Sequence, residues 1–340
     1  MEYVWLVVGF VLLIKGADFF VDGSSAIAKM LKVPSIIIGL TVVALGTSLP
    51  EAAVSISASL TGANSLAVSN VIGSNMFNLL VVLGASALVL PVNTKKDTVS
   101  KEIPFCIAVT VVLLAWLFLG VSFTEYEVTV PEYDFWDKLR DASFTLGRAA
   151  GVVLLALLVF FMWWQISSAL RARKQSGDAD EVTDNQKKPS VIKAIIFIVL
   201  GAAGIIWGGN LVVDSAKTIA ANFGMSEELI GLTIVALGTS LPELVTSMVA
   251  AKKGESDLAL GNVIGSSIFN IIFILCFSAL ISPMTVGINT LFDIVILIAV
   301  SIVVWLFART KQKISRPEGA ALILMYIAYF VYIIIRDTAK

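Results

Sequence analysis

Ten apolar stretches follow one another along this chain, at about 3–28, 34–60, 65–92, 103–122, 143–169, 191–220, 228–251, 257–282, 286–308 and 318–335. A segment needs roughly 20 residues to cross the hydrocarbon core of a bilayer. Backbone polar groups in lipid must find partners within their own segment, so runs of this length are expected to be helices. The short alternating strands of a membrane barrel are absent. Composition points the same way. Apolar residues make up 58% and charged residues 14%, against about 45–50% and about 25% in soluble domains. These values exclude a soluble enzyme, a disordered chain and a disulfide scaffold. A net charge of −1 gives no reason to expect nucleic acid. The absence of His removes imidazole metal sites and His proton relays. Cys106 and Cys276 each stand alone in an apolar stretch, so no redox or zinc motif is visible.

The predicted fold class is therefore an all-α integral membrane protein of about ten transmembrane helices in the lipid bilayer. The opening MEYVWLVVGFVLLIKG lacks a basic leader and a clear cleavage site, and reads as the first span. Two longer polar connections stand out, 123–142 and 171–190, and both read as solvated loops. The second lies near the midpoint and reads as a linker between units 1–170 and 191–340. Of the 24 Lys and Arg, 17 fall in the odd-numbered connections and 5 in the even ones and the termini. The positive-inside rule then places the odd connections and the linker in the cytoplasm, and both termini outside a plasma or inner membrane.

Residues 38–51 read IGLTVVALGTSLPE and residues 230–243 read IGLTIVALGTSLPE, with 13 of 14 positions identical at an offset of 192. The same offset aligns SNVIGSNMFN (69–78) with GNVIGSSIFN (261–270), and Asp22 with Asp214. A fixed spacing without gaps means two copies of one unit. Five spans separate the copies, so the second must insert upside down. Lys252 and Lys253 align with Leu60 and Thr61, so the flanking charge changes side while the motif stays. Inverted repeats of this kind occur in secondary transporters, with the site near the midplane between them. The expected architecture is two inverted five-helix repeats.

Pro50 and Pro242 lack an N–H and free the carbonyls of Gly46 and Gly238, so each helix should break at GTSLPE. Broken backbone at membrane depth belongs in protein or along a cavity. Thr47 and Glu51, like Thr239 and Glu243, are four residues apart, which offers a hydroxyl, a carboxylate and loose carbonyls together. A charged carboxylate at the bilayer centre costs about 2.5–3.5 kcal/mol on insertion scales. Two carboxylates brought together would repel unless a cation lay between them, and two neutralise one Ca²⁺, which favours oxygen ligands. The second motif adds Ser74 and Asn78 in one copy and Ser266 and Asn270 in the other. Gly73 and Gly265 are expected to allow close helix approach. Asn70, Asn262, Asn75 and Ser267 read mainly as packing residues. Asp18, Asp22 and Asp214 read as partners of Lys15 and Lys217, or as an ion entrance. Asp293 is left at the interface.

The paired GTSLPE segments, each followed by a G-S-x-x-F-N helix, resemble the two alpha-repeats of the sodium/calcium exchanger family, prokaryotic type, within the calcium/cation antiporter superfamily. That resemblance implies a calcium site of Glu51, Glu243, Thr47 and Thr239. It implies sodium sites drawing on Ser48, Ser240, Ser74, Ser266 and the carbonyls of Ala44 and Ala236, with Asn78 and Asn270 at the centre. It also implies that spans one and six slide across the core, and that Ca²⁺ leaves in exchange for Na⁺. Both central positions are Asn here, where potassium-dependent members carry an Asp, so K⁺ independence is expected. Proton-coupled Ca²⁺ or cation exchange and, further off, a cation channel remain the alternatives. No nucleophile–base pair or nucleotide loop suggests an enzyme, no cofactor is called for beyond the transported ions, and no feature sets an oligomeric state.

Overall fold

The computed structural model describes residues 1–62, 64–122, 142–177, 190–223 and 236–338 of the 340. Eight helices are long and apolar enough to cross a membrane, and a bent pair makes a ninth span among the described residues. They are α1 (Glu2–Leu31), the bent pair α2 (Ser35–Thr47) and α3 (Leu49–Leu60), α4 (Leu66–Val89) and α5 (Thr98–Leu119). After these come α6 (Arg148–Gly177), α7 (Val191–Asn222), α8 (Leu241–Lys252), α9 (Ser256–Ile281), α10 (Ile288–Arg309) and α11 (Arg316–Thr338). The expected run at 228–251 is represented by α8, preceded by a short helical turn Ala236–Gly238; residues 224–235 lie outside the described set.

Two expectations shift. The run beginning at 143 opens with a strand, not a helix: Ser143–Leu146 turns Phe144 and Leu146 inward and leaves Ser143 and Thr145 half-buried. A ladder satisfies that backbone before the helix starts at Arg148. α6 also continues to Gly177, into the first residues of the polar segment 171–190. Most of the two polar connections, 123–141 and 178–189, lies outside the described residues.

Short strands sort the connections by end. β1 (Val92–Asn93) pairs antiparallel with β5 (Lys313–Ile314), joining the third and ninth connections. β3 (Ser143–Leu146) lies between β2 (Val121–Ser122) and β4 (Met284–Val286), joining the fourth and eighth. Lys95 pairs with Asp257 at 2.5 Å, and Lys29 with Glu255 at 3.9 Å, so the first, third and seventh connections meet as well. The first, third, seventh and ninth connections thus gather together, and so do the fourth and eighth, as consecutive spans require.

α4 and α9 form the centre: 78% of the apolar window of each is buried, against 33% for α1, 22% for α7 and 11% for α11. The outer helices turn Val4, Trp163, Val199, Trp207 and Leu324 outward. An apolar exterior of this extent is the face a bilayer covers. α1 and α7 run antiparallel at unusually close range. A Cβ built on Gly16 would lie 2.6 Å from the backbone N of Ile205 and 2.8 Å from the Gly201 carbonyl. One on Gly208 would meet Leu13 N at 2.5 Å and Gly9 O at 2.8 Å. Gly9, Gly16, Gly201 and Gly208 obey the 192-residue offset, so one seam is written twice. Small residues let helix backbones touch where lipid offers no hydrophobic drive.

Candidate ion-binding site at the crossing of the two kinks

The chain breaks where proline dictates. Ser48 leaves helical geometry (φ −84°, ψ 7°), α2 and α3 meet at a 51° bend, and Pro50 falls in the first turn of α3. Ser240 repeats the break (φ −91°, ψ 6°), with Pro242 in the first turn of α8. Proline is tolerated there because first-turn N–H groups have no helical partner. Glu51 and Glu243 therefore stand in first turns, whose positive dipole end favours a carboxylate.

The two kinks cross, and each serine serves the other copy's acid. Ser48 Oγ donates to Glu243 Oε1 at 2.9 Å, and Ser240 Oγ donates to Glu51 Oε1 at 2.9 Å. Within its own copy, Ser74 Oγ reaches Glu51 Oε1 at 3.4 Å and Ser266 Oγ reaches Glu243 Oε1 at 3.5 Å. Ser74 and Ser240 hydroxyls share a 3.0 Å contact. Thr47 Oγ1 donates to Asn262 Oδ1 at 2.9 Å and lies 3.5 Å from the Ser266 hydroxyl. The Ala44 carbonyl accepts from Thr47 Oγ1 (3.3 Å), Ser266 Oγ (3.5 Å) and the Ser48 N–H (3.0 Å). Ala236 opens the short turn before the second kink, and Thr239 is half-buried and faces a cavity.

Both glutamates are fully buried, as are Thr47, Ser240, Ser266, Asn78 and Asn270. Yet Glu51 Oε2, Glu243 Oε2, Asn270 Oδ1 and both polar atoms of Asn78 have no hydrogen-bond partner. A buried unpaired polar group costs about 1–3 kcal/mol, and more for a charged one. Four of these five atoms are oxygens, the hard donors that alkali and alkaline-earth cations select. Among the described residues no cluster holds three or more His, Cys, Asp or Glu. The centre is two acids set among hydroxyls and amides, a donor set suited to a hard cation.

α4 and α9 each widen into a π-helical turn at their asparagine, Asn78–Val82 and Asn270–Leu275. Such turns recur at functional sites because they displace one residue from the regular ladder. A third π turn, Gly39–Val43, precedes the first kink. Gly265 makes the close approach expected of it, its Cβ position lying 2.7 Å from the Leu40 carbonyl. Gly73 meets nothing within 4 Å among the described residues, and Leu232, the counterpart of Leu40, lies outside them.

Several residues read as packing belong to the polar centre. Asn70 Nδ2 donates to Ser55 Oγ at 3.0 Å, and Asn262 Nδ2 to Ser247 Oγ at 2.9 Å, a pair of bonds again related by 192. The glycine seam and Ser55/Ser247 went unremarked in the sequence, although that offset would have found the seam. The acids near the helix ends are paired. Lys15 lies 3.7 Å from Asp18, Lys217 lies 3.7 Å from Asp214, and Asp293 pairs with Arg336 at 2.8 Å. Lys253, absent from that expectation, holds both Asp22 (2.8 Å) and Asp18 (3.4 Å).

A cavity of about 410 Å³ leads to the kinks between α7, α3 and α8. Leu49, Pro50, Thr239 and Pro242 line it beside the kinks, and Asn210, Asp214 and Lys217 line it on α7. Asp214 thus lines this cavity as well as pairing with Lys217. The cavity's lining on α7 runs from Ile206 to Lys217, toward the C-terminal end of that helix.

Comparison with known proteins completes the description. The sodium/calcium exchanger protein family model matches residues 1–167 and 193–335. The chain is 38% identical over 331 residues to the putative antiporter CaxA of Alkalimonas amylolytica, covering 96% of each protein. It is 34% identical to the sodium/calcium exchanger MaX1 of Methanosarcina acetivorans, covering 97% of this chain and 98% of that one. Among solved structures it matches the sodium-calcium exchanger NCX_Mj with a TM-score of 0.78 at 32% identity, over 97% of this chain and 98% of that one. This multi-pass membrane protein belongs to the sodium/calcium exchanger family.

Proposed function

We propose that this protein is an antiporter that exports one Ca²⁺ in exchange for Na⁺, by alternating access to the crossing of the two kinks. The observation that carries this reading is the pair of fully buried glutamates, each with one oxygen bonded across the repeat and the other without a partner. Two carboxylates neutralise one divalent ion, and surrounding hydroxyls, amides and the Ala44 carbonyl supply neutral oxygens. Thr47, Thr239, Glu51 and Glu243 take Ca²⁺. Ser48, Ser240, Ser74, Ser266, Ala44 and Ala236 complete the Na⁺ sites, and Asn78 and Asn270 line the centre.

With two fixed charges, Ca²⁺ brings the site near neutrality, while three Na⁺ leave it near +1. Exchange is then electrogenic, and each charge moved is worth about 2.3 kcal/mol per 100 mV. Two unpaired buried acids disfavour the ion-free crossing, which couples the two fluxes. Neutral asparagines at both central positions support independence from K⁺. The Lys and Arg excess of the odd connections supports a cytoplasmic location for that end, with both termini outside the cell membrane. The units 1–170 and 191–340 are the two inverted repeats, joined by the linker near 171–190.

The decisive measurement is ⁴⁵Ca²⁺ uptake into vesicles against an imposed Na⁺ gradient, with the pH gradient collapsed. Uptake that follows the Na⁺ gradient, saturates with Ca²⁺ and ignores K⁺ is the expected result. Uptake driven only by a pH gradient would move the coupling to protons, and uptake that fails to saturate would indicate a channel.

A further inference from the structure

The two central asparagines occupy equivalent places in sequence, but they are not held alike. Residue 75 and residue 267 are each other's counterparts at the 192-residue offset, and they touch: Asn75 Nδ2 donates to the Ser267 backbone carbonyl at 3.0 Å. A contact between counterparts places both on the axis that relates the two copies. The repeat differs at this point, with Asn in one copy and Ser in the other.

The consequences can be followed atom by atom. A backbone carbonyl only accepts, so Asn75 must present its Nδ2 to Ser267 and its Oδ1 to the opposite side. That Oδ1 accepts from Asn270 Nδ2 at 2.9 Å. The second proton of Asn270 Nδ2 goes to Ser74 Oγ at 3.1 Å. Both donors of Asn270 are then used, and its Oδ1 is buried without a partner, available to a cation. Nothing equivalent holds Asn78. The residue that symmetry would supply is Ser267, whose hydroxyl donates to the Val263 carbonyl of its own helix at 2.9 Å. Both amide atoms of Asn78 are without a partner.

We infer that Asn75 is a positioning residue that fixes the amide of Asn270 with its carbonyl oxygen presented to the transported cation, while Asn78 stays free to turn. The inference rests on the exchanger reading above, and it makes the ion centre asymmetric despite the repeat. Asn270 serves as a standing oxygen ligand. Asn78 can turn its oxygen to a cation or its N–H to a carboxylate, according to what the site holds.

The test measures Na⁺-driven ⁴⁵Ca²⁺ uptake in vesicles across a range of Ca²⁺ concentrations, for the wild type, Asn75→Ser, and the exchange Asn75→Ser with Ser267→Asn. In Asn75→Ser the Asn270 amide loses its anchor. Its apparent KM for Ca²⁺ should rise about tenfold, as one ligand is mis-set part of the time, while the maximal rate stays within about twofold of wild type. The exchanged pair keeps the composition and volume at the axis and transfers the anchor to Asn78, so KM should return most of the way. A defect of packing alone would not be mended by moving the amide across the axis. An unchanged KM in Asn75→Ser, or an exchanged pair no better than the single variant, overturns the inference. Should Asn75→Ser not yield folded protein, the exchanged pair decides alone: KM near wild type supports the inference, and KM raised tenfold overturns it. Absence of Na⁺-driven uptake in the wild type would defeat the exchanger reading itself, a different outcome from any of these.

Discussion

The two ends of the molecule are built from counterpart segments, and among the described residues their side chains are fastened differently. At the end of the odd connections, Lys253 grips Asp18 and Asp22 of α1, and Ser25 of α1 donates to Glu255 at 2.5 Å. At the opposite end Asp214 takes the place of Asp22, and Thr61 takes the place of Lys253. Among the described residues, Thr61 returns its hydroxyl to the Ser57 and Ala58 carbonyls of its own helix. A cavity beside the kinks is lined by the same helices, through Ala53 of α3 and Asp214 of α7. Counterpart helices thus carry different pairings, because a few side chains are not shared by the repeat. A transporter needs such a difference to be small, since it must reverse in each cycle.

The comparison can be broken most completely at the point both ends share. Glu51→Gln and Glu243→Gln should each reduce Na⁺-driven ⁴⁵Ca²⁺ uptake to background while the protein still inserts and elutes as one species. Retained exchange in either variant would move the ion centre away from the crossing. The next largest effect is structural. Gly16→Leu forces a side chain into the α1–α7 seam, where a Cβ alone would lie 2.6 Å from backbone. Overpacking costs about 1–3 kcal/mol, occasionally more, so the midpoint of thermal unfolding in detergent should fall clearly. An unchanged midpoint would mean that the two helices separate easily.

The difference between the ends is read directly by cysteine labelling. Ala53 lines the cavity, and its counterpart Val245 is half-buried against the α1–α8 core. Cys106 and Cys276 are buried and leave a low background. Ala53→Cys should react with a membrane-impermeant thiol reagent, and Val245→Cys should be protected. Equal reactivity of the two would erase the comparison. Adding Lys253→Ala should raise the labelling of Val245→Cys by up to about fivefold, since a partly exposed ion pair is worth up to ~1 kcal/mol. The smallest effect serves as calibration. Lys101 pairs with Asp97 at 2.8 Å within one helical region at the fastened end, and both are exposed. Lys101→Ala should cost about 0.3–0.5 kcal/mol at most and leave Val245→Cys labelling as it was. A rise matching that of Lys253→Ala would show that general charge, not the grip on α1, closes this end.

Much of this was legible in the residues. The length of the apolar runs fixed the class of fold, because lipid leaves the backbone few ways to satisfy itself. Pro50 and Pro242 marked both breaks, since a missing N–H acts locally whatever surrounds it. The repeat gave Glu51, Glu243 and the flanking hydroxyls. The strand at Ser143–Leu146 was not legible, because one of its two neighbours, Met284–Val286, lies far along the chain. Lys253 escaped for the same reason, since Asp18 and Asp22 are distant in sequence. Asn70 and Asn262 were read as packing because an asparagine in a helix of small residues gives no sign of what faces it.

The sequence alone determined that the chain spans a membrane, that its halves are copies in opposite orientation, and that each carries one acid beside a proline break. These follow from local chemistry and counting. Only the tertiary structure decided that each serine bonds the other copy's glutamate, that Asn75 and Ser267 meet on the axis, and that Lys253 holds Asp18 and Asp22. Those contacts join residues some 160 to 230 positions apart, and a repeat in sequence says which residues are equivalent without saying which of them touch.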